Sequence, residues 1–168
     1  MSHALVLGMF EQPAAAAGAA RALRALGISR DRVSIVAKSH DDEGVLANAA
    51  GASPGSEIED SRAASRLGEL GAHFLAAIAI VMPGIGPIVA DGPLAAGLGE
   101  AAGHLAGSIA GTLEAAGLDG GRAKAWESAI ETGSVLVGAH VGPEAVYAAE
   151  GALREHGASD VAEVSWPD

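Results

Sequence analysis

Two glutamate–histidine pairs are the residues of this chain whose types and spacing could do chemistry. In the first pair, Glu69 lies four positions before His73. In the second, Glu100 lies four positions before His104. A spacing of four puts both side chains of a pair on one face of a helix, and two such helices folded together would bring all four groups to one height. Carboxylates and imidazoles placed in this way hold iron, manganese or zinc in helical bundles, so the pattern predicts a divalent or iron-type metal site.

An ion-pair role is the alternative for the same four residues, and their spacing favours it. Di-iron bundles place the Glu and His of one motif three positions apart rather than four. Glutamate and histidine four positions apart also form ordinary ion pairs on a helix surface. The sequence spacing identifies no pair of a nucleophile and a base, so no catalytic residue is predicted and we expect a protein that is not an enzyme.

The stretch from 73 to 117 must position the second pair, and it is built almost entirely from Ala, Gly, Leu, Ile and Val, without Lys or Arg. Four residues at its centre interrupt a helix, because prolines lack the amide donor and glycines loosen the backbone: Pro83, Gly84, Gly86 and Pro87. The sequence therefore predicts a helical hairpin over about 62–117. Its arms cover 62–82 and 92–116, and these four residues form its turn.

Small residues recur every four positions along the second predicted arm. They are Gly99, Gly103, Gly107 and Gly111. On a helix this spacing forms a flat stripe against which another helix can pack closely. Two helices cannot cover each other's whole apolar surface, and the uncovered remainder predicts a homo-oligomer. Trp126, Tyr147 and Trp166 are expected to be core or interface anchors.

The two ends of the chain repeat one another at an offset of 130 positions. Each end has a strand, a helix that begins at a proline and stops at a glycine, and a second strand. The helix limits are Pro13 and Gly27 in the first unit, and Pro143 and Gly157 in the second. Two such units predict an α+β fold with a ferredoxin-like split βαβ sheet of four antiparallel strands, and both helices on one face.

The expected strands cover 4–10, 32–38, 134–141 and 161–166. Residues 1–40 and 133–168 would form the ferredoxin-like domain, and 41–132 would be an inserted helical segment that contains the hairpin. Within this insertion, a short amphipathic helix is predicted over 122–131.

The charge balance limits the partners of the protein. The formal net charge is −11 and there is no basic patch, which excludes binding to nucleic acid. The chain has no cysteine and its first residues lack the features of a secretory signal, so a cytoplasmic location is expected.

Membrane contact is the less favoured interpretation of the hairpin. A membrane span needs about 20 apolar residues, and the first arm has only about ten before Pro83. The second arm carries Glu100, His104 and Glu114, which are costly in hydrocarbon. Docking at a membrane surface through the turn, with a membrane-associated location, stays open as an alternative to burial between protomers.

A family resemblance covers most of the chain. The run PGIGPIVADGPLAAGL, the glycine-rich segment after it, the pair Ala125-Trp126 and the run ETGSVLVGAHV resemble the heat-induced general stress proteins with YflT-like domains. This bacterial family is largely of unknown function. The resemblance implies a role in the stress response, and together with the hairpin the first hypothesis is a non-enzymatic, self-associating protein. The metal-binding, ferroxidase-like protein and the peripheral membrane protein are the two alternatives.

Overall fold

The computed structural model describes residues 2–38, 78–82, 85–102 and 107–167. Within them the chain has one antiparallel sheet with helices on both faces, so the predicted α+β class is confirmed. The strands are β1 (Ser2–Phe10), β2 (Val33–Lys38), β3 (Ile78–Met82), β4 (Gly86–Asp91), β5 (Val135–Val141) and β6 (Asp160–Pro167). The helices are α1 (Pro13–Ala25), α2 (Pro93–Ala102), α3 (Ile109–Ala115), α4 (Gly120–Glu131) and α5 (Val146–Glu155). The strand order in the sheet is β3–β4–β2–β5–β1–β6.

The four strands predicted for the repeated units all belong to this sheet. β1 pairs with β5 and β6, and β5 also pairs with β2, always antiparallel. In the β1–β5 ladder Leu7 lies opposite Gly138, and Gly8 lies opposite Val137. At the offset of 130, Leu7 corresponds to Val137 and Gly8 corresponds to Gly138. Each of these two β1 residues therefore pairs with the residue that corresponds to the other one. The two units are therefore related by an approximate twofold axis between these residues.

The two units differ in the turn that joins the helix to the second strand. In the first unit Ser29 is followed by a 3-10 turn, Arg30–Arg32, before β2 begins. In the second unit Ser159 leads directly into β6. The second strand of the first unit therefore starts three residues later than the offset of 130 predicts. As a result, Val33 at the start of β2 occupies the position that Asp160 has at the start of β6.

Helices α1 and α5 lie together on one face of the sheet, as the sequence predicts. Alternate residues of the strands point toward them, including Val6 of β1 and Val137 of β5. Four alanines of α1 are buried in this contact: Ala16, Ala17, Ala19 and Ala20. Residues without bulk let the helix approach the sheet and α5 closely, which is how an alanine-rich chain forms a packed layer.

Helices α2, α3 and α4 cover the opposite face. Leu94 and Leu98 of α2, Leu113 of α3 and Trp126 of α4 pack on strand residues such as Leu136. The backbone amide of Ser165 on β6 also donates to the carbonyl of Ala116, which attaches the end of α3 to the sheet edge. The described residues of 78–82, 85–102 and 107–131 thus contribute to one core together with strands from both ends of the chain.

The prediction of a helical hairpin is wrong over its described part. Residues 78–82 and 86–91 are the antiparallel strands β3 and β4, although the first arm had been expected to stay helical through Met82. Ile78, Ile80 and Val81 are β-branched, and β2 provides a hydrogen-bonding partner for β4, so extended structure is favoured over helix. Of the four turn residues, Gly86 has a positive φ of 97° at the start of β4, and Pro87 pairs within the ladder. Pro83 and Gly84 lie outside the described residues, as does the first arm before residue 78.

The second arm is also not one continuous helix. α2 ends at Ala102 and α3 begins at Ile109, with the Ser108 hydroxyl accepting a hydrogen bond from the Gly111 amide. The separation breaks the predicted glycine stripe. Gly99 is exposed on α2 and Gly111 is exposed on α3, while Gly107 lies between the helices and Gly103 is outside the described residues. Among the helices of the described segments, none is long and apolar enough to cross a bilayer.

Candidate functional site

A groove of about 500 Å³ lies between α2 and α3, and we call it the α2–α3 groove. Small residues line it on both sides: Gly97 and Ala101 from α2, and Gly107, Gly111 and Ala115 from the α3 side. The indole of Trp166 on β6 also lines it, close enough to Gly97 that a Cβ there would lie 3.0 Å from Cη2. Two of the four glycines of the predicted stripe, Gly107 and Gly111, therefore border an open groove.

Gly107 is required for the shape of this groove. A Cβ at this position would collide with the backbone carbonyl of Ala101, so the chain that enters α3 passes directly against the end of α2. Glu100, Ser108 and Thr112 provide the polar groups at the groove. An apolar cavity of this size with a few polar groups and one aromatic side chain is typical of a binding site.

A buried chain of polar side chains continues from the groove into the sheet. The Trp166 indole meets the His140 imidazole edge to face, with centroids 5.6 Å apart. His140 Nδ1 lies 2.9 Å from His3 Nε2, and His140 Nε2 lies 3.0 Å from Ser34 Oγ. The Leu94 amide at the start of α2 donates to Ser34 Oγ at 3.1 Å. We call His3, His140 and Ser34 the histidine network.

Strand periodicity explains why these side chains meet. His140 follows Leu136 on alternate positions of β5, and His3 precedes Leu5 on β1, so both point to the face that α2 covers. Ser34 of β2 lies opposite Gly138, next to His140 along β5. Neighbouring strands thus bring one residue each to the same end of the sheet.

Burial determines the charge state of the histidine network. His140 is 2% exposed and Ser34 is fully buried. Desolvation is the main cause that lowers the pKa of His140 to about 4, and repulsion from the neighbouring His3 and Arg32 contributes to the same lowering. His140 is therefore a neutral imidazole near pH 7.

The start of α2 is held close to this network by a glycine. Gly92 has a φ of 82°, and a Cβ there would collide with the Val33 carbonyl and approach the Cα of Ser34 at 2.7 Å. Its amide donates to the Asp91 carboxylate at 2.8 Å. No other residue type fits this close passage of the chain, which sets the height of Leu94 over Ser34.

A second polar cluster joins α4 to β6. The Arg122 guanidinium binds both carboxylate oxygens of Asp160 and the Val161 carbonyl, and it lies over the ring of Trp126. Trp126 Nε1 donates to Asp160 at 2.9 Å. The hydrogen bond from Arg122 lowers the pKa of Asp160, which stays ionised. Since Trp126 is buried and Arg122 is only partly exposed, this cluster fixes helix α4 on the sheet edge.

The predicted metal site is not assembled in the described part of the chain. Glu69, His73 and His104 lie outside the described residues, and Glu100 is exposed at the end of α2. Over residues 2–38, 78–82, 85–102 and 107–167, no group of three or more His, Asp or Glu side chains could hold a metal ion. The site of four residues stays a prediction.

Burial opposes hydrolytic catalysis by the histidine network. A serine hydroxyl next to an imidazole, itself next to a third polar group, is the arrangement of a nucleophile with its base. Ser34 and His140 are nevertheless buried, and Ser34 Oγ accepts a hydrogen bond from the Leu94 amide. In this structure the network connects three strands to the start of α2 and does not present the hydroxyl to a substrate.

The sequence reasoning did not single out His3, Ser34 or His140. One signal was present, because His140 interrupts the apolar alternation of the run VLVGAHV on a predicted buried face. Of the expected aromatic anchors, Trp126 lies in the core and Trp166 at the groove, whereas Tyr147 is 87% exposed on α5. The chain matches no protein-family model, no curated protein and no solved structure.

Proposed function

We propose that this chain is a non-enzymatic, self-associating protein of the stress-response type, in which the α2–α3 groove of one copy receives the Tyr147 side chain of the next. The observation that carries this proposal is the exposure of Tyr147. In the described residues, the large hydrophobic side chains that stay exposed are Tyr147, at 87%, and Leu26, at 49%. A tyrosine left in water on a chain with so few aromatic residues favours a role as an interface anchor.

The groove suits a phenol ring. Its walls are glycine and alanine, so a volume of about 500 Å³ is open to a side chain from outside. The Trp166 indole offers an aromatic partner, and aromatic pairs contribute about 0.5–1.5 kcal/mol beyond the area they bury. Ser108, Thr112 and Glu100 supply oxygen atoms that can accept a hydrogen bond from the phenol hydroxyl.

The surface around Tyr147 favours insertion of this ring. Tyr147, Gly151 and Arg154 follow one another at spacings of four and three, so they lie along one stripe of α5. A Cβ at Gly151 would meet no atom within 4 Å, which leaves the tyrosine standing above a flat surface. Arg154 is 59% exposed in the same stripe, and the groove carries the exposed carboxylate of Glu100. Attraction between these opposite charges favours the orientation of the two copies in which Tyr147 enters the groove.

The assembly would be head to tail. Tyr147 belongs to the helix layer on one face of the sheet, and the groove belongs to the layer on the other face. A contact between two different surfaces leaves one of each free at the ends, so it generates rings or open chains rather than a closed symmetric dimer.

We further infer that β1, β2, β5 and β6 form the split βαβ sheet of the ferredoxin-like fold, to which β3 and β4 add two strands. The order β6–β1–β5–β2 with antiparallel neighbours supports this inference, and so does the twofold register of β1 with β5. Such a sheet hosts many unrelated activities, so the function has to be argued from the groove. A cytoplasmic location and membership of the YflT-like family are part of the same proposal.

Sedimentation velocity over a range of protein concentrations tests the proposed association. The wild type should show a weight-average sedimentation coefficient that rises with concentration, and Tyr147→Ala should abolish the rise. Leu26→Ala removes the other exposed large side chain of the described residues and should behave as the wild type. A wild type that stays monomeric, or a Tyr147→Ala variant that assembles as well as the wild type, would overturn the proposal.

A further inference from the structure

We propose that the histidine network is a proton-sensitive connection between the sheet and helix α2, and that uptake of one proton by its imidazole pair loosens the α2 wall of the groove. One consequence, that acidification weakens assembly, rests on the proposed function. The structural part of the proposal, the response of α2 to a proton, does not depend on whether copies associate.

One fixed donor and one assigned tautomer set the directions of the hydrogen bonds in the neutral network. The Leu94 amide can only donate, so Ser34 Oγ accepts from it. We assign the hydroxyl proton of Ser34 to His140 Nε2, which lies 3.0 Å from Oγ and is then the acceptor. His140 therefore carries its proton on Nδ1 and donates it to His3 Nε2. In this arrangement every polar hydrogen between Leu94 and His3 has a partner.

One proton from solvent reverses this order. If His3 takes it, His3 Nε2 becomes a donor, and His140 must move its own proton from Nδ1 to Nε2. If His140 takes it, both of its ring nitrogens become donors. In either case His140 Nε2 donates to Ser34 Oγ, and the Ser34 hydroxyl proton loses its acceptor. Because Ser34 is fully buried, water cannot replace that acceptor without a local opening.

The groups around His140 oppose its protonation. Arg32 places positive charge near the ring from the turn before β2, and His3 on β1 opposes a second positive charge beside it. Ser34 from β2 and Trp166 from β6 complete its surroundings, with the Leu94 amide above Ser34. Asp91 at the end of β4 is a buried carboxylate at the start of α2, where it accepts from the Gly92 amide. Both nitrogens of His140 are already bonded to His3 and Ser34, so no carboxylate binds them directly.

The response reaches the groove along two contacts. Leu94 is in the first turn of α2, and Gly97 and Ala101 in the following turns line the groove. Trp166 touches the imidazole of His140 on one side and lies against Gly97 on the other. Release of Leu94 from Ser34 therefore changes the position of the groove wall, and a change at His140 is transmitted to the indole.

Nuclear magnetic resonance of the Tyr147→Ala variant tests this inference without interference from assembly. Amide signals of Leu94 to Ala101 and the Trp166 indole signal are followed with the histidine ring signals as the pH falls from about 7.5 to about 4. The α2 amides and the indole should shift with the same midpoint as the ring signals of His140. The protection factor of the Leu94 amide should fall across that midpoint by about tenfold more than that of Val137 on β5, whose protection follows the global stability.

Two variants identify the cause of the response. Ser34→Ala should leave the indole coupled to the titrating rings but remove the pH response of Leu94. His156→Gln replaces a histidine at the end of α5, away from the network, and should leave all of these transitions unchanged. Signals of α2 that stay flat while the rings titrate, or an unaltered Leu94 response in Ser34→Ala, would overturn the inference. Failure of the sedimentation test alone would refute the proposed association and leave this result standing.

Discussion

The Trp166 indole lies edge to face against the His140 imidazole, with ring centroids 5.6 Å apart. One side of the indole thus belongs to the α2–α3 groove and the other to the most deeply buried ionisable group that the described residues contain. This contact connects a surface that can bind a partner with a group that responds to pH.

Folding stability should decrease as the pH falls from about 6.5 toward 4. The pKa of His140 is lowered from 6.5 to about 4 in the folded protein. The stability that depends on its neutral form is therefore complete above pH 6.5. It decreases as the pH falls below 6.5 and is lost once the pH has fallen through 4. A shift of this size corresponds to about 3 kcal/mol of unfolding free energy. Urea unfolding at several pH values should show a shallower pH dependence for His140→Gln than for the wild type. Equal slopes for the two proteins would contradict this assignment.

Asp160→Asn should destabilise the protein by about 1 kcal/mol near neutral pH, because a partly exposed arginine–carboxylate pair and one indole hydrogen bond are weakened. The pKa of Asp160 is lowered by Arg122, so its contribution is present above the ordinary value of 3.8 and is lost as the pH falls below it. The difference between wild type and variant should therefore disappear in acid. Glu163→Gln changes an exposed carboxylate of the same strand and should have no effect at either pH. A difference that persists in acid would argue against the pair.

Gly107→Ala should be clearly more destabilising than Gly111→Ala. At Gly107 a Cβ would collide with the Ala101 carbonyl, whereas at Gly111 it would meet only Ser108 Oγ, at 3.1 Å. Replacement of an exposed helical glycine by alanine favours the helix by up to about 1 kcal/mol, so Gly111→Ala should be neutral or stabilising. Thermal unfolding of the two variants measures this contrast. A continuous glycine stripe on one helix would instead make the two substitutions equivalent.

The repeated units were predictable from sequence because their limits are set by local chemistry. Pro13 and Pro143 mark where the two helical segments begin, and Gly27 and Gly157 adopt positive φ where they end. These requirements act within a few residues, so no knowledge of the surrounding fold is needed. The strands between them follow from apolar runs of the right length.

The hairpin could not be predicted in the same way because its structure depends on distant partners. The run IAIVM fits the end of an apolar helix as well as a buried strand, and pairing with β4 decides between them. Similarly, the small residues at 107 and 111 fit a helix–helix contact until Ser108 interrupts the helix. The histidine network is harder still to predict from sequence, since it requires the register of three strands that meet only in the folded sheet.

The central claim is that Tyr147 of one copy binds the α2–α3 groove of another, and mixing two complementary variants tests it most directly. Tyr147→Ala has an intact groove but no tyrosine. Ala115→Leu keeps the tyrosine and fills the groove, because Ala115 lines it and is exposed. Ala125→Leu makes the same change at an exposed position of α4 outside the groove and serves as the control.

Light scattering on each variant and on the mixture gives the decisive result. Each groove or tyrosine variant alone should have the mass of a monomer, and Ala125→Leu should assemble like the wild type. An equimolar mixture of Tyr147→Ala and Ala115→Leu should reach twice the monomer mass and grow no further, because only one competent contact can form. A mixture that stays monomeric while the wild type assembles, or Ala115→Leu alone assembling like the wild type, would contradict the proposed contact.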